Sequence, residues 1–107
     1  MPEPKLSIVP CGDYTPETVR AALVSALDAV GGLDWVTPGM RVGIKLNLCA
    51  ARKPEQAATT HPVMAAELTR LLCERGAKVV LGDSPGEPFT AMVLGRVYSL
   101  GNYALCE

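Results

Sequence analysis

Met40-Arg41-Val42-Gly43-Ile44-Lys45-Leu46 and Ala77-Lys78-Val79-Val80-Leu81 decide the fold of this chain. Both runs are rich in β-branched and aliphatic residues and are bounded by turn formers. Pro38-Gly39 precedes the first, with proline and glycine placed for the centre of a type II turn. Gly76 precedes the second, and Gly82-Asp83-Ser84-Pro85-Gly86 breaks it sharply. The second run is apolar at four of its five positions, the pattern of a strand covered on both faces.

Between the two strands lies a polar loop, Asn47 to Thr60, and then a helix. Loops of that length without structure of their own are uncommon and are often functional. Thr59-Thr60-His61-Pro62 opens the helix; Met64, Leu68, Leu71 and Leu72 form its apolar stripe, and Gly76 ends it.

On the N-terminal side, Lys5-Leu6-Ser7-Ile8-Val9 reads as a further strand stopped by Pro10 and Gly12. Thr15-Pro16-Glu17 then announces a helix with a capping hydroxyl, a proline in the first turn and an acid at the positive end of the dipole. Val19, Ala22, Leu23, Ala26, Leu27 and Val30 follow at helical spacing, and Gly31-Gly32 stops them. Trp35, in the connector, is expected to plug the core over the sheet edge. On the C-terminal side, Phe89 to Leu100 carries Val93, Val97 and Leu100 on one side of a third helix.

The order βαβαβα predicts a three-layer α/β fold with a mostly parallel sheet and right-handed crossovers. Three strands leave raw edges, so the chain is expected to be either a fragment or an obligate partner of something else.

Composition sets outer bounds. The chain has 107 residues, 49% apolar and 20% charged, with a net charge of -1. That is a globular composition, and the near-neutral balance argues against a nucleic-acid partner. No stretch reaches the roughly 18 apolar residues of a membrane span, and the N-terminus has no secretory signal pattern. The expected location is cytoplasmic. In that setting Cys11, Cys49, Cys73 and Cys106 are expected as thiols, and their wide spacing matches no zinc or iron-sulfur run. A small buried hydrophobe is the expected role of Cys11 and Cys49, near the strand ends, with the alternative of meeting at a metal or a cluster; Cys73, on a helix beside the stripe, is expected to be structural, and Cys106 is left unassigned.

In open parallel sheets, ligands bind beyond the C-terminal strand ends. Pro10-Cys11-Gly12-Asp13, Lys45-Leu46-Asn47 and Gly82 to Gly86 occupy those ends, and the helix start at Thr59-Thr60-His61 lies on the same side. Free N–H groups there favour an anion, with threonine hydroxyls as added donors. Each residue also has a structural reading. Thr60 or His61 caps the helix, Asp83 or Ser84 caps the next one, and Lys45 extends to solvent. His61 is the sole histidine, hence the sole side chain whose ordinary pKa lies near neutrality.

Gly43-Ile44-Lys45-Leu46-Asn47-Leu48, Thr59-Thr60-His61-Pro62 and Gly82-Asp83-Ser84-Pro85-Gly86, in this order, resemble the domain-of-unknown-function 362 family. The frame agrees at Gly31 to Leu33, Pro38-Gly39-Met40, Gly76-Ala77-Lys78-Val79 and Pro88-Phe89-Thr90, so the resemblance runs over about residues 5–105. One departure stands out: the family usually carries proline where this chain has Leu46.

The resemblance implies a bacterial or archaeal protein whose domain continues past Glu107, so that residues 1–107 are its N-terminal part and one partner is the remainder of that domain. It often implies a companion 4Fe-4S module, which would be carried outside this segment, since these residues contain no such motif. The family has no agreed reaction. Lys45, Asn47, Thr59, Thr60, His61, Asp83, Ser84 and Gly86 match its motifs and are candidate ligand-binding residues; no catalytic role and no metal ligand is carried over.

Three functions follow as expectations. The first is a redox or electron-transfer module acting beside a 4Fe-4S cluster outside the segment, with a redox partner. The second is an enzyme or binder for a small anionic ligand at the strand ends. The third is an assembly domain whose 47–60 loop docks a partner.

Overall fold

The computed structural model of the chain describes residues 3–83, and its element boundaries follow local chemistry. Helix α1 spans Pro16–Asp28. Thr15 caps it, its hydroxyl accepting from the Thr18 N–H at 3.4 Å. Asp13 steadies the cap by accepting from the Thr15 N–H at 2.9 Å and the Thr15 hydroxyl at 2.8 Å. These bonds, led by the backbone one, hold the Asp13 carboxyl below its ordinary pKa. Asp13 is therefore an accessory of the helix start. Thr15→Ala is expected to cost about 1 kcal/mol in a urea unfolding series.

Gly31 and Gly32 end the helix at positive φ, and the Gly32 N–H returns to the Leu27 carbonyl at 2.8 Å. A type II turn follows: the Met40 N–H donates to the Thr37 carbonyl at 3.1 Å, with Gly39 at φ 84°. Strand β1 is Arg41–Lys45, helix α2 is Pro62–Glu74 and strand β2 is Lys78–Gly82. The strands pair in parallel, Arg41 opposite Lys78 through Lys45 opposite Gly82. This is the βαβ unit that the two deciding runs predict.

Both helices lie on one side of the sheet. Leu33, Val36, Leu71, Leu72 and Ala77 form one buried cluster, with Leu23 and Leu27 of α1 and Val42 and Val79 of the sheet packed against it. Leu46, Leu48 and Ala65 form a second, beneath Ile44 and Leu81. Glu67 is 3% exposed and pairs with Arg70 one turn further along α2.

Several expectations change. Lys5–Val9 is not a strand: Leu6 and Ile8 are 86% and 84% exposed. Alternation specifies an extended chain, but a strand also needs a neighbouring edge to complete its hydrogen bonds. Here Val9 and Pro10 instead line a hollow with Thr18, Ala21 and Ala22 of α1.

Trp35 is 58% exposed. The Val36 N–H bonds to the Leu33 carbonyl at 2.9 Å, so Leu33 and Val36 turn inward together and Trp35 between them faces out. Among the described residues β2 is covered on one face, with Val80 68% exposed. Cys11, Cys49 and Cys73 are exposed thiols, not buried hydrophobes. The expected helix from Phe89 to Leu100 lies outside the described residues, so the two strands and their helices form the part of the α/β order that is seen.

Candidate functional site

The site begins where β1 leaves the sheet. The Leu46 N–H donates to the Gly82 carbonyl at 2.9 Å, carrying the ladder one residue past Lys45. Proline, usual in the family at this position, has no N–H to make that bond. Leu46 and Leu48 then point into the core, 1% and 0% exposed, and leave Asn47 and Cys49 outside. Asp83, at the end of β2, ties this segment down. Its Oδ2 accepts from the Leu48 N–H at 2.9 Å, and its Oδ1 meets the Lys45 ammonium at 2.9 Å.

The loop that follows is closed at its mouth. Asn47 and Thr60 exchange two bonds: Asn47 N–H to Thr60 Oγ1 at 2.9 Å, and Thr60 N–H to the Asn47 carbonyl at 2.9 Å. A single turn of 3₁₀ helix, Pro54–Gln56, fills the middle, where Gln56 accepts from the Lys53 N–H at 2.8 Å. Cys49 and Ala57 turn the chain at positive φ. Pinned ends and internal bonds make this an Ω-type loop, a type often built for function.

His61 caps α2, with Nδ1 accepting from the Val63 N–H at 3.2 Å. An accepting Nδ1 places the proton of the neutral ring on Nε2, which becomes a donor. The ring stacks on Tyr14 with centroids 3.6 Å apart and planes 5° from parallel. Burial lowers the imidazole pKa below its ordinary 6.5, against a smaller upward pull from Glu55. Tyr14, Pro54, Glu55, Ala57, Thr59 and His61 line a cavity of about 300 Å³, the lower end of the size range of small-molecule pockets.

The depressed pKa has a stability consequence. Between the lower folded value and 6.5 the unfolded chain binds more protons than the folded one. The contribution of His61 is full above about pH 6.5 and is lost as pH falls through the folded value. His61→Asn keeps a capping oxygen and removes the titrating ring. Its unfolding free energy, measured by urea at several pH values across this window, is expected to vary less with pH than that of the parent.

The candidate residues thus fall into two groups. Lys45, Asn47, Thr60 and Asp83 come together as a brace that shapes the loop, while Thr59 and His61 line the cavity. Ser84 and Gly86 lie outside the described residues. Lys45 spans to Asp83 with its side chain 79% exposed. Tyr14 and Glu55 join the cavity without having been singled out in the sequence. Neither sits in a motif, and the signal at hand was their placement in the two polar segments on the strand-end side. Among the described residues, no group of three or more His, Cys, Asp or Glu side chains is placed to hold a metal ion.

The family described as a domain of unknown function (DUF362) matches residues 42–104, which takes in β1 from its second residue, the loop, α2 and β2. A thylakoid-associated protein of Synechocystis sp., sll1697, is 33% identical over 81 residues. That match covers 75% of this chain and 25% of the relative, so the chain spans about a quarter of the length of the relative. No solved structure matches the chain. Among the described residues, no helix is long and apolar enough to cross a membrane.

Proposed function

This chain belongs to the DUF362 family, and on that premise we propose that it is the N-terminal part of a larger α/β protein that binds a small anionic ligand at its strand ends. One observation carries the reading: the cavity at the start of α2, on the side where ligands enter parallel sheets, lined by His61, Thr59, Tyr14 and Glu55. The Nε2–H of His61, the Thr59 hydroxyl and the positive end of α2 suit an oxyanion. Glu55 in the same lining selects for a ligand that also carries a hydrogen-bond donor. Lys45 acts through Asp83, holding the loop in shape, and is a positioning residue.

Thermal shift against a panel of phosphates, nucleotides and small carboxylates tests this. At least one is expected to raise the midpoint of the parent chain. Thr59→Val is expected to lose that rise while keeping the unliganded midpoint. The absence of a shift with every member of the panel contradicts the reading.

A second reading, a redox module beside a 4Fe-4S cluster carried outside this segment, rests on the companion module that the family resemblance implies, and the length of the relative leaves room for one. That protein is described as thylakoid-associated, and three quarters of its length lies beyond the match. Iron and acid-labile sulfide, assayed without oxygen in the full parent protein and in residues 1–107, are expected in the parent alone. Their absence from both retires the redox reading and leaves the ligand reading untouched.

A further inference from the structure

Among the described residues, the sheet has a second face that the helices do not cover. Val42, Ile44, Val79 and Leu81 face the two buried clusters. The alternate positions, Arg41, Gly43 and Lys45 on β1 and Lys78, Val80 and Gly82 on β2, project the other way. Arg41, Gly43, Lys45, Lys78 and Val80 are all exposed. The register sets Arg41 directly opposite Lys78, and Gly43 opposite Val80.

Two like charges facing each other across a ladder destabilise it unless a third group compensates. Neither Arg41 nor Lys78 enters any of the ion pairs among the described residues. Beside them runs an apolar strip: Val80 is 68% exposed, and no atom of the described residues lies within 4 Å of where a Gly43 side chain would begin. A net charge of -1 for the chain conceals this local concentration of cations. A second copy of the same face is a poor occupant, since it would bring four cations together.

We propose that this face is covered by an acidic amphipathic helix from the remainder of the same polypeptide. Its apolar stripe would lie over Gly43 and Val80, and its carboxylates would meet Arg41 and Lys78. This rests on the reading of the chain as part of a larger protein. Three observations support it: the preference of parallel sheets for cover on both faces, the charge pattern, and the greater length of the relative.

The test is lysine acylation with mass-spectrometric readout, on the parent protein and on residues 1–107, with exposed Lys53 as the reference. Lys78 is expected to react at least about tenfold more slowly in the parent, as covered sites do. Carbodiimide treatment of the parent is expected to link Lys78 to an Asp or Glu of the same molecule. Arg41→Glu with Lys78→Glu is expected to lower the thermal midpoint of the parent but not that of the segment, and Arg41→Gln with Lys78→Gln to do so less.

Equal Lys78 reactivity in both proteins overturns the proposal. So does a carbodiimide link to a separate protein, or protection that requires anionic lipid vesicles or nucleic acid. A parent reading frame that ends at residue 107 removes the premise instead, and is recognised from its length before any labelling.

Discussion

Asp83→Ala is expected to lower folding stability by about 2–4 kcal/mol, the larger part of it through one backbone bond. The Asp83 side chain is 9% exposed and accepts from the N–H of Leu48, a residue with no exposure at all. A hydrogen bond to a charged group is worth about 1.5–3 kcal/mol, and a stranded buried donor adds a desolvation cost. The ion pair with Lys45 adds little, because its ammonium arm is 79% exposed and water screens the pair to about 0–1 kcal/mol. Three variants separate the terms in urea titrations. Lys45→Met should cost least, Asp83→Asn somewhat more, since its amide oxygen still accepts from Leu48, and Asp83→Ala most. Hydrogen exchange at the Leu48 amide should accelerate in Asp83→Ala and hardly change in Lys45→Met. Equal costs for all three would mean that the brace works through charge rather than through the loop backbone.

Gly76→Ala is expected to cost a similar amount for a different reason. Gly76 ends α2 at φ 83°, a conformation that charges an L side chain about 1–2 kcal/mol. An added Cβ would also sit 2.9 Å from Pro38 Cα and 3.0 Å from Pro38 Cβ. Pro38 is fixed by its ring and by the turn, and the Gly76 carbonyl holds the Gly39 N–H at 2.9 Å, so the backbones cannot part without breaking that bond. Overpacking of this kind adds about 1–3 kcal/mol, for a total of about 2–5 kcal/mol. Gly39→Ala is the control. Its φ is 84°, but no atom of the described residues lies within 4 Å of the new carbon, so about 1–2 kcal/mol is expected. Thermal or urea unfolding of the two variants side by side measures the close approach as their difference.

What the sequence reveals of this fold is what local chemistry determines. Thr15, Pro16, Gly31 and Gly32 bound α1; Pro38 and Gly39 make the predicted turn; His61, Pro62 and Gly76 bound α2. Each works within a few residues of itself. Pairing and burial are long-range, and there the agreement is partial: β1 and β2 pair in parallel as expected and Leu71 and Leu72 are buried, but other positions differ. The apolar positions of Lys5–Val9 do not say whether a sheet edge is waiting for them. The composition of Val79-Val80-Leu81 does not say that Val80 faces away from both helices.

The candidate site divides in the same way. The strand-end rule and the family motifs lead to Lys45, Asn47, Thr59, Thr60, His61 and Asp83. They do not separate the brace from the cavity, because Asp83 acts on a backbone N–H, which every residue but proline carries. The stack of Tyr14 on His61 joins a connector before α1 to the start of α2, two places with no shared sequence pattern.

The most direct test of the ligand site is an amide chemical-shift titration of the chain with phosphate and with small hydroxy- and amino-carboxylates. The account predicts saturable shifts at Tyr14, Glu55, Thr59 and the first turn of α2 from His61 to Met64. Those shifts should be absent in Thr59→Val. No saturable shift, or shifts confined to Arg41 and Lys78 on the open sheet face, would contradict the assignment of the cavity as the binding site.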